Sequence, residues 1–427
     1  MFVVNDNAFQ MSSSNIRFGK GVTSEIGSDL LDRELNRVLV ILDPKLVELP
    51  VGRTVIKSLQ IKKIGFEVFS EISVEPTDAS FRRAAEVARS APYDAIVAVG
   101  GGSTLDTAKA ANLYSTHSGE FFDYVNAPIG SGLPVPGQLK PLFAIPTTAG
   151  TGSETTGVAI FDYIDKHVKT GIADRFLRPT LGIVDPNNTY TLPAEVAASC
   201  GLDVLSHALE SYTARPFQER TRPRRPAERP AYQGANPISD IWAIEALKLV
   251  SQYLVRAVQD PEDEEARSQM MLAASLAGFG FGNAGVHLPH GMSYPVAGMV
   301  KSFLPRGYDA RSPLIPHGMS VILNTPAVVR VTARVKPERH LIAAKALGAD
   351  TRGVELDLAG EILRERVVYF MRTLGMPNGL EAVGYGVQDI PALIEGTLPQ
   401  HRVTHLAPVD VNKELLAELF EASLRIW

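Results

Sequence analysis

Cysteine is almost missing from this chain: Cys200 is the only one in 427 residues. A single thiol excludes an intrachain disulfide framework and fits a reducing compartment. It reads as a small buried hydrophobe rather than a nucleophile. Long apolar runs are missing too, and none reaches the length that spans a bilayer. Met1 to Gly21 carries neither a signal-peptide core nor an Arg-rich transit pattern. The expectation is therefore a cytoplasmic protein, or a mitochondrial one if the source is eukaryotic. A charge imbalance is missing as well: 42 Lys and Arg stand against 47 Asp and Glu, and a formal net of −5 gives no global reason to expect nucleic acid or membrane as a partner. What remains is an ordinary globular composition, too long for one core and suited to two domains.

Residues 1–192 read as an α/β domain with a parallel sheet. Arg37 to Leu42, Phe66 to Phe69, Asp94 to Gly100, Pro141 to Pro146 and Leu181 to Val184 are short apolar runs, with amphipathic helix patterns such as Asp78 to Ala91 between them. Two turns carry chemistry. Gly100-Gly101-Gly102-Ser103 runs into a helix bearing Asp106, an arrangement that lets backbone N–H groups approach a phosphate. It lacks the G-x-G-x-x-G spacing, so on its own it is also an ordinary glycine turn. The stretch from Thr147 and Thr148 to Glu154 offers hydroxyl and backbone donors without bulk, and reads as a second binding loop or a flexible one. Asp43, at the end of a strand, can accept from a ribose 2′-OH and repel a 2′-phosphate, which favours NAD over NADP; Asp-Pro is equally a turn starter. Lys169 offers a cation to phosphate or substrate.

Residues 193–427 read as all-helical. Helix patterns cover Ala194 to Tyr212, Asp240 to Val258, Glu262 to Phe279, Ser320 to Thr332 and Leu356 to Leu374, with Asp260 as N-cap of the third. Arg215 to Pro237 breaks the pattern with six arginines interleaved with prolines. It is either a solvated loop or a set of guanidinium clamps for a dicarboxylate, Arg215, Arg220 and Arg229 being the ones to test. On the first of these helices Asp203 and His207 stand four apart and can reach one cation. His290 and His317 recur in matched Pro-His-Gly-Met contexts. One oxygen and three nitrogens suit Fe2+ or Zn2+; His287 is the rival ligand.

The residues Gly100-Gly-Gly-Ser-x-x-Asp106, Thr147-Thr-Ala-Gly-Thr-Gly-Ser-Glu154, Asp203-x-x-x-His207 and Pro316-His-Gly318 together resemble the iron-containing alcohol dehydrogenase family. Glu75-Pro-Thr-Asp78, Arg229 to Trp242 and Gly282 to Tyr294 resemble its hydroxyacid–oxoacid transhydrogenase subgroup. The resemblance implies a dinucleotide-binding domain followed by a helical metal domain. It places the metal on Asp203, His207, His290 and His317. The nicotinamide cofactor falls on Gly101, Gly102, Ser103, Asp106, Thr147 and Thr148, with Asp43 and Lys169 less firmly attached. It implies hydride transfer from 4-hydroxybutyrate through a bound cofactor to 2-oxoglutarate, giving succinic semialdehyde and 2-hydroxyglutarate. An NAD-dependent alcohol or 4-hydroxybutyrate dehydrogenase is the alternative, and assembly as a homo-oligomer is expected. Dehydroquinate synthase is disfavoured, because its metal set is expected to begin with glutamate. The chain departs from the family where Tyr294 replaces a frequent histidine and where Glu75 replaces an asparagine. No catalytic group beyond the metal is assigned, Tyr294 being the one candidate.

Overall fold

The computed structural model describes residues 4–427 except 167, 309 and 311. Two compact units form, one from Ser12–Leu192 and one from Pro193–Trp427 together with the N-terminal segment up to Met11.

The strands of the first unit are β1 (Asn15–Phe18), β2 (Arg37–Leu42), β3 (Gly65–Phe69), β4 (Ala95–Gly100), β5 (Leu142–Pro146), β6 (Val158–Tyr163), β7 (Val168–Ala173) and β8 (Leu181–Val184). Six of them make one parallel sheet in the order β1-β8-β5-β4-β2-β3, while β6 and β7 pair antiparallel. Alternation divides each central strand between two cores. Val38, Val40 and Leu42 pack with Ile26, Leu30, Val55 and Leu59 of α1 (Ile26–Leu31) and α2 (Pro50–Ile61). Leu39 and Ile41 pack with Ala84, Ala88, Leu105 and Ala108 of α3 (Asp78–Arg89) and α4 (Gly102–Thr116). Helices on both faces are why these strands read as unbroken apolar runs.

This topology locates a ligand crevice within the unit. The chain moves outward from β2 to β3, then returns to place β4 on the other side of β2. Open α/β sheets bind ligands at the carboxyl ends of strands flanking such a reversal. Asp43 follows β2, Gly100–Ser103 follows β4, and Thr147–Glu154 follows the adjacent β5.

The second unit is built from α5 (Ala194–Thr213), α6 (Pro237–Gln259), α7 (Glu264–Ala284), α8 (Leu288–Gly298), α9 (His317–Ile322), α10 (Thr325–Thr332), α11 (Pro337–Ala346), α12 (Ala359–Thr373), α13 (Ile390–Thr397), α14 (His401–Thr404) and α15 (Lys413–Leu424). Two sequence expectations shift here. The single helix expected over Ser320 to Thr332 is divided into α9 and α10, because Pro326 in the first turn of α10 cannot continue a helix from α9. The cap of α7 is Asp263, which accepts from the Ala266 amide at 2.9 Å, while Asp260 only turns back to the Glu262 amide.

The N-terminal segment also departs from the 1–192 grouping. Asp6 is buried in the second unit, where Arg220 reaches it at 2.5 Å and Arg229 at 3.0 Å. The guanidinium of Arg229, with that of Arg220, holds the Asp6 carboxyl far below the usual range against the opposing effect of burial. Two arginines of the Arg/Pro-rich segment are thus consumed in anchoring the chain's start.

His340 on α11 is fully buried, and burial pushes its pKa down to about 4. In the unfolded chain its pKa is about 6.5, so the unfolded state takes up the proton first. The stabilisation is complete above pH 6.5 and declines as pH falls toward 4. We expect about 2 kcal/mol of stability from this group to vanish between pH 7.5 and pH 5. Urea unfolding at both values should show a smaller pH increment in His340→Gln than in the parent; equal increments would exclude His340 as the source.

Candidate metal centre and cofactor loops

Asp203, His207 and Glu210 occupy positions i, i+4 and i+7 of α5 and share one helical face. All three are buried. α8 and α9 bring His290 and His317 to the same place, and the ligand atoms of Asp203, His207, His290 and His317 all lie within 4.8 Å of one another. Asp203 is the hub: its oxygens stand 3.7 Å from His207 Nδ1, 3.7 Å from His290 Nε2 and 3.9 Å from His317 Nε2. Donors at metal bond lengths of about 2.0–2.2 Å stand about 3.5 Å apart around a tetrahedral ion, so the set fits a divalent metal. The buried Nε2 of His290 makes no hydrogen bond among the described residues, as a nitrogen reserved for an ion would. His317, with its side chain 25% exposed, is the open side of the cluster.

The surroundings fix these rings. Phe281 stacks on His207 with centroids 3.9 Å apart. The Nδ1–H of His290 donates to Glu210 Oε1 at 2.6 Å, leaving Nε2 as the free ligand nitrogen. Burial works against a proton on His290, but Glu210 outweighs it and the pKa rises. Glu210 Oε2 also accepts from the His287 amide at 2.6 Å. The sequence reading missed Glu210, although its i+7 position after Asp203 was a usable signal. The rival ligand His287 stands aside: it contacts Thr213 Oγ1 at 3.0 Å, and burial pushes its pKa down to about 4.

The paired Pro-His-Gly motifs have one packing explanation. Each proline lies at or beside the start of a helix, each histidine in the first turn, and each glycine where another element touches. A Cβ on Gly291 would lie 3.0 Å from Thr404 Cγ2, and one on Gly318 only 2.1 Å from the Ser199 carbonyl oxygen. Tyr294, one turn beyond His290, is buried, and its hydroxyl accepts from Arg402 Nη2 at 3.1 Å.

In the α/β unit, the two glycine-containing loops meet. A Cβ on Gly101 would come within 3.3 Å of Thr148, and one on Gly102 within 2.6 Å of Thr151. Thr147 is buried, its amide donating to the Gly100 carbonyl at 3.1 Å. α4 starts at Gly102 with no side-chain cap; the Thr104 amide turns back to the Gly101 carbonyl at 3.0 Å, and the amides of Gly102 and Ser103 with the positive dipole end are placed for an anion. The other sequence candidates take different stations. Asp106 accepts from Ser153 Oγ at 2.6 Å and the Ile160 amide at 2.9 Å, and so holds the second loop in place. Ser103 Oγ accepts from the Glu75 amide at 3.3 Å. Asp43 is partly exposed and accepts from the Lys45 amide at 2.9 Å. Lys169 is buried against Glu75 at 2.5 Å and Asp162 at 2.9 Å. Burial opposes its charge, yet Asp162 and Glu75 raise its pKa. Its ammonium ties Glu75 to Asp162. Glu75 has φ +57°, a left-handed backbone that asparagine tolerates better, and its carboxylate is anchored by that tie.

Comparison with known proteins adds the following. Residues 13–186 match the model of iron-containing alcohol dehydrogenase, and residues 228–424 match that of the Fe-containing alcohol dehydrogenase family, C-terminal. The mitochondrial hydroxyacid-oxoacid transhydrogenase of Rattus norvegicus is 55% identical over 425 residues, covering 99% of this chain and 91% of that protein. The probable mitochondrial hydroxyacid-oxoacid transhydrogenase of Dictyostelium discoideum is 52% identical, covering 99% of this chain and 80% of that one. Both relatives are named as mitochondrial, so the cytoplasmic expectation finds no support in them. Among solved structures, 1,3-propanediol oxidoreductase aligns with a TM-score of 0.85 at 25% identity, over 98% of this chain and 100% of that one. Sulfoacetaldehyde reductase from Bifidobacterium kashiwanohense, in complex with NAD+, aligns at 0.80 with 26% identity, over 98% and 99%.

Proposed function

The chain belongs to the iron-containing alcohol dehydrogenase family and is an oxidoreductase acting on CH–OH groups; we propose that its reaction is hydroxyacid–oxoacid transhydrogenation. The donor is 4-hydroxybutyrate and the acceptor 2-oxoglutarate, with succinic semialdehyde and 2-hydroxyglutarate as products. The observation that carries the reading is the buried Asp203–His207–His290–His317 cluster in a chain more than half identical to transhydrogenases.

The proposed metal, Fe2+ with Zn2+ as second choice, supplies Lewis acidity to the hydroxyl or carbonyl oxygen, and NAD carries the hydride. Asp203 contributes the negative charge that makes the donor set selective for a cation. Glu210 holds the His290 ring in one tautomer. Phe281 and the buried helix faces exclude water from the ligands. The Gly101–Ser103 amides at the start of α4 take the pyrophosphate, the Thr147–Thr148 loop closes over it, and Asp106 keeps that second loop in register. Asp43 accepts from the ribose hydroxyls and disfavours NADP. Redox balance needs no external oxidant: a hydride and the hydroxyl proton leave the hydroxy acid, and a hydride and a proton are taken up by the oxo acid.

Purified protein given both acids and no added NAD is expected to form 2-hydroxyglutarate continuously, in step with succinic semialdehyde. Strict dependence on added NAD would replace this reading with an NAD-dependent 4-hydroxybutyrate dehydrogenase.

A further inference from the structure

The proposed substrates are carboxylates, and a buried metal cluster alone does not read a carboxylate at the far end of a chain. The arginines that the sequence offers for this are otherwise engaged. Arg220 and Arg229 bind Asp6, and Arg215 binds the Ala407 carbonyl at 3.1 Å and Asp410 at 3.2 Å.

Arg402, on the short α14, is different. Its guanidinium lies over the Tyr232 ring, 4.7 Å from the centroid, and Nη2 donates to Tyr294 Oη at 3.1 Å. No carboxylate pairs with it among the described residues, and its Nη1 is buried without a hydrogen-bond partner. A guanidinium held by one tyrosine ring and a second tyrosine's hydroxyl, with Nη1 unmet, is costly to retain unless an anion completes it. It is also near the chemistry. Tyr294 follows His290 by four residues on α8, so the guanidinium bonds a side chain on the same helix face as a proposed metal ligand, one turn along.

We propose that Arg402 is the specificity-determining residue of this site, receiving the substrate carboxylate on its Nη1 edge while the reacting carbon lies at the Asp203–histidine cluster. The proposal rests on the transhydrogenase reading and sharpens it. In 4-hydroxybutyrate two methylenes separate the carbinol carbon from the carboxylate. In 2-oxoglutarate two methylenes separate the carbonyl carbon from the distal carboxylate. One cation at one distance therefore serves both half-reactions, and the same pocket accepts donor and acceptor in turn.

The test compares each acid with the counterpart in which a methyl replaces the carboxylate two methylenes from the reacting carbon: 4-hydroxybutyrate with 1-butanol, and 2-oxoglutarate with 2-oxopentanoate. In the wild-type holoenzyme the acid is preferred in both pairs. In Arg402→Met the ratio of kcat/KM values, acid over counterpart, is expected to fall about 10- to 100-fold, and in Arg402→Lys by less, since the charge survives without the fork. Calorimetric binding of glutarate, which has the carboxylates and no reacting group, should weaken in parallel. Unchanged ratios in either folded variant overturn the assignment. Should both variants fail to fold, the wild-type pairs decide it, since equal use of 2-oxopentanoate and 2-oxoglutarate leaves Arg402 nothing to recognise. A wild-type enzyme that converts alcohols but neither acid refutes the proposed reaction itself.

Discussion

Asp203→Ala is expected to leave a folded protein that retains no stoichiometric metal and turns over at least about 1000-fold more slowly, the scale of several kcal/mol of Lewis-acid stabilisation. Asp203 is the one anionic donor among three imidazoles, and its two oxygens face all three. Without it, only neutral nitrogens remain to offset the desolvation of a divalent ion in a buried site. Metal analysis by mass spectrometry, beside a circular dichroism spectrum, settles the point. A variant that keeps one metal per chain would remove Asp203 from the ligand set.

Gly318→Ala should act on the same centre by a purely steric route. The added methyl would stand 2.1 Å from the Ser199 carbonyl oxygen and 2.9 Å from Asp203 Cβ. The first of these is backbone in the middle of α5 and cannot rotate away. α9 must therefore move off α5, carrying His317 with it and weakening the Met319 amide to Ser199 Oγ contact of 3.2 Å. Overpacking of this kind costs about 1–3 kcal/mol or more. The expected outcome is a lower Tm together with at least about tenfold weaker metal retention against a chelator. A metal-saturated variant with parental Tm would show that α9 is free to slide, contrary to the packing described.

The sequence made the sheet legible because β2, β4 and β5 are buried on both faces, and such strands advertise themselves as apolar runs. The four metal-ligand candidates were legible because Asp203 and His207 share a helix face and because two Pro-His-Gly motifs repeat. What escaped notice depends on contacts across large separations in sequence. Glu210 is one more acid on a helix until α8 delivers two amides and a ring to it. Arg402 lies in a four-residue helix, with no periodicity around it, and its meaning comes from Tyr232 and Tyr294 far upstream. Lys169 shows the reverse: next to a promising loop it reads as a ligand, yet two carboxylates claim it. The arginine-rich stretch misled for a similar reason, since the counter-charge, Asp6, sits more than two hundred positions away.

Glu210 ties the start of α8 to α5 through the amides of His287 and His290 and through the His290 ring itself. A carboxylate that caps a helix while gripping a ring on that helix makes the ring's aim a property of the backbone. The rotational freedom of His290 is therefore lost during folding, before any ion arrives. Loading then needs no search among rotamers or tautomers, so capture is quick and the emptied shell keeps its shape for the next ion.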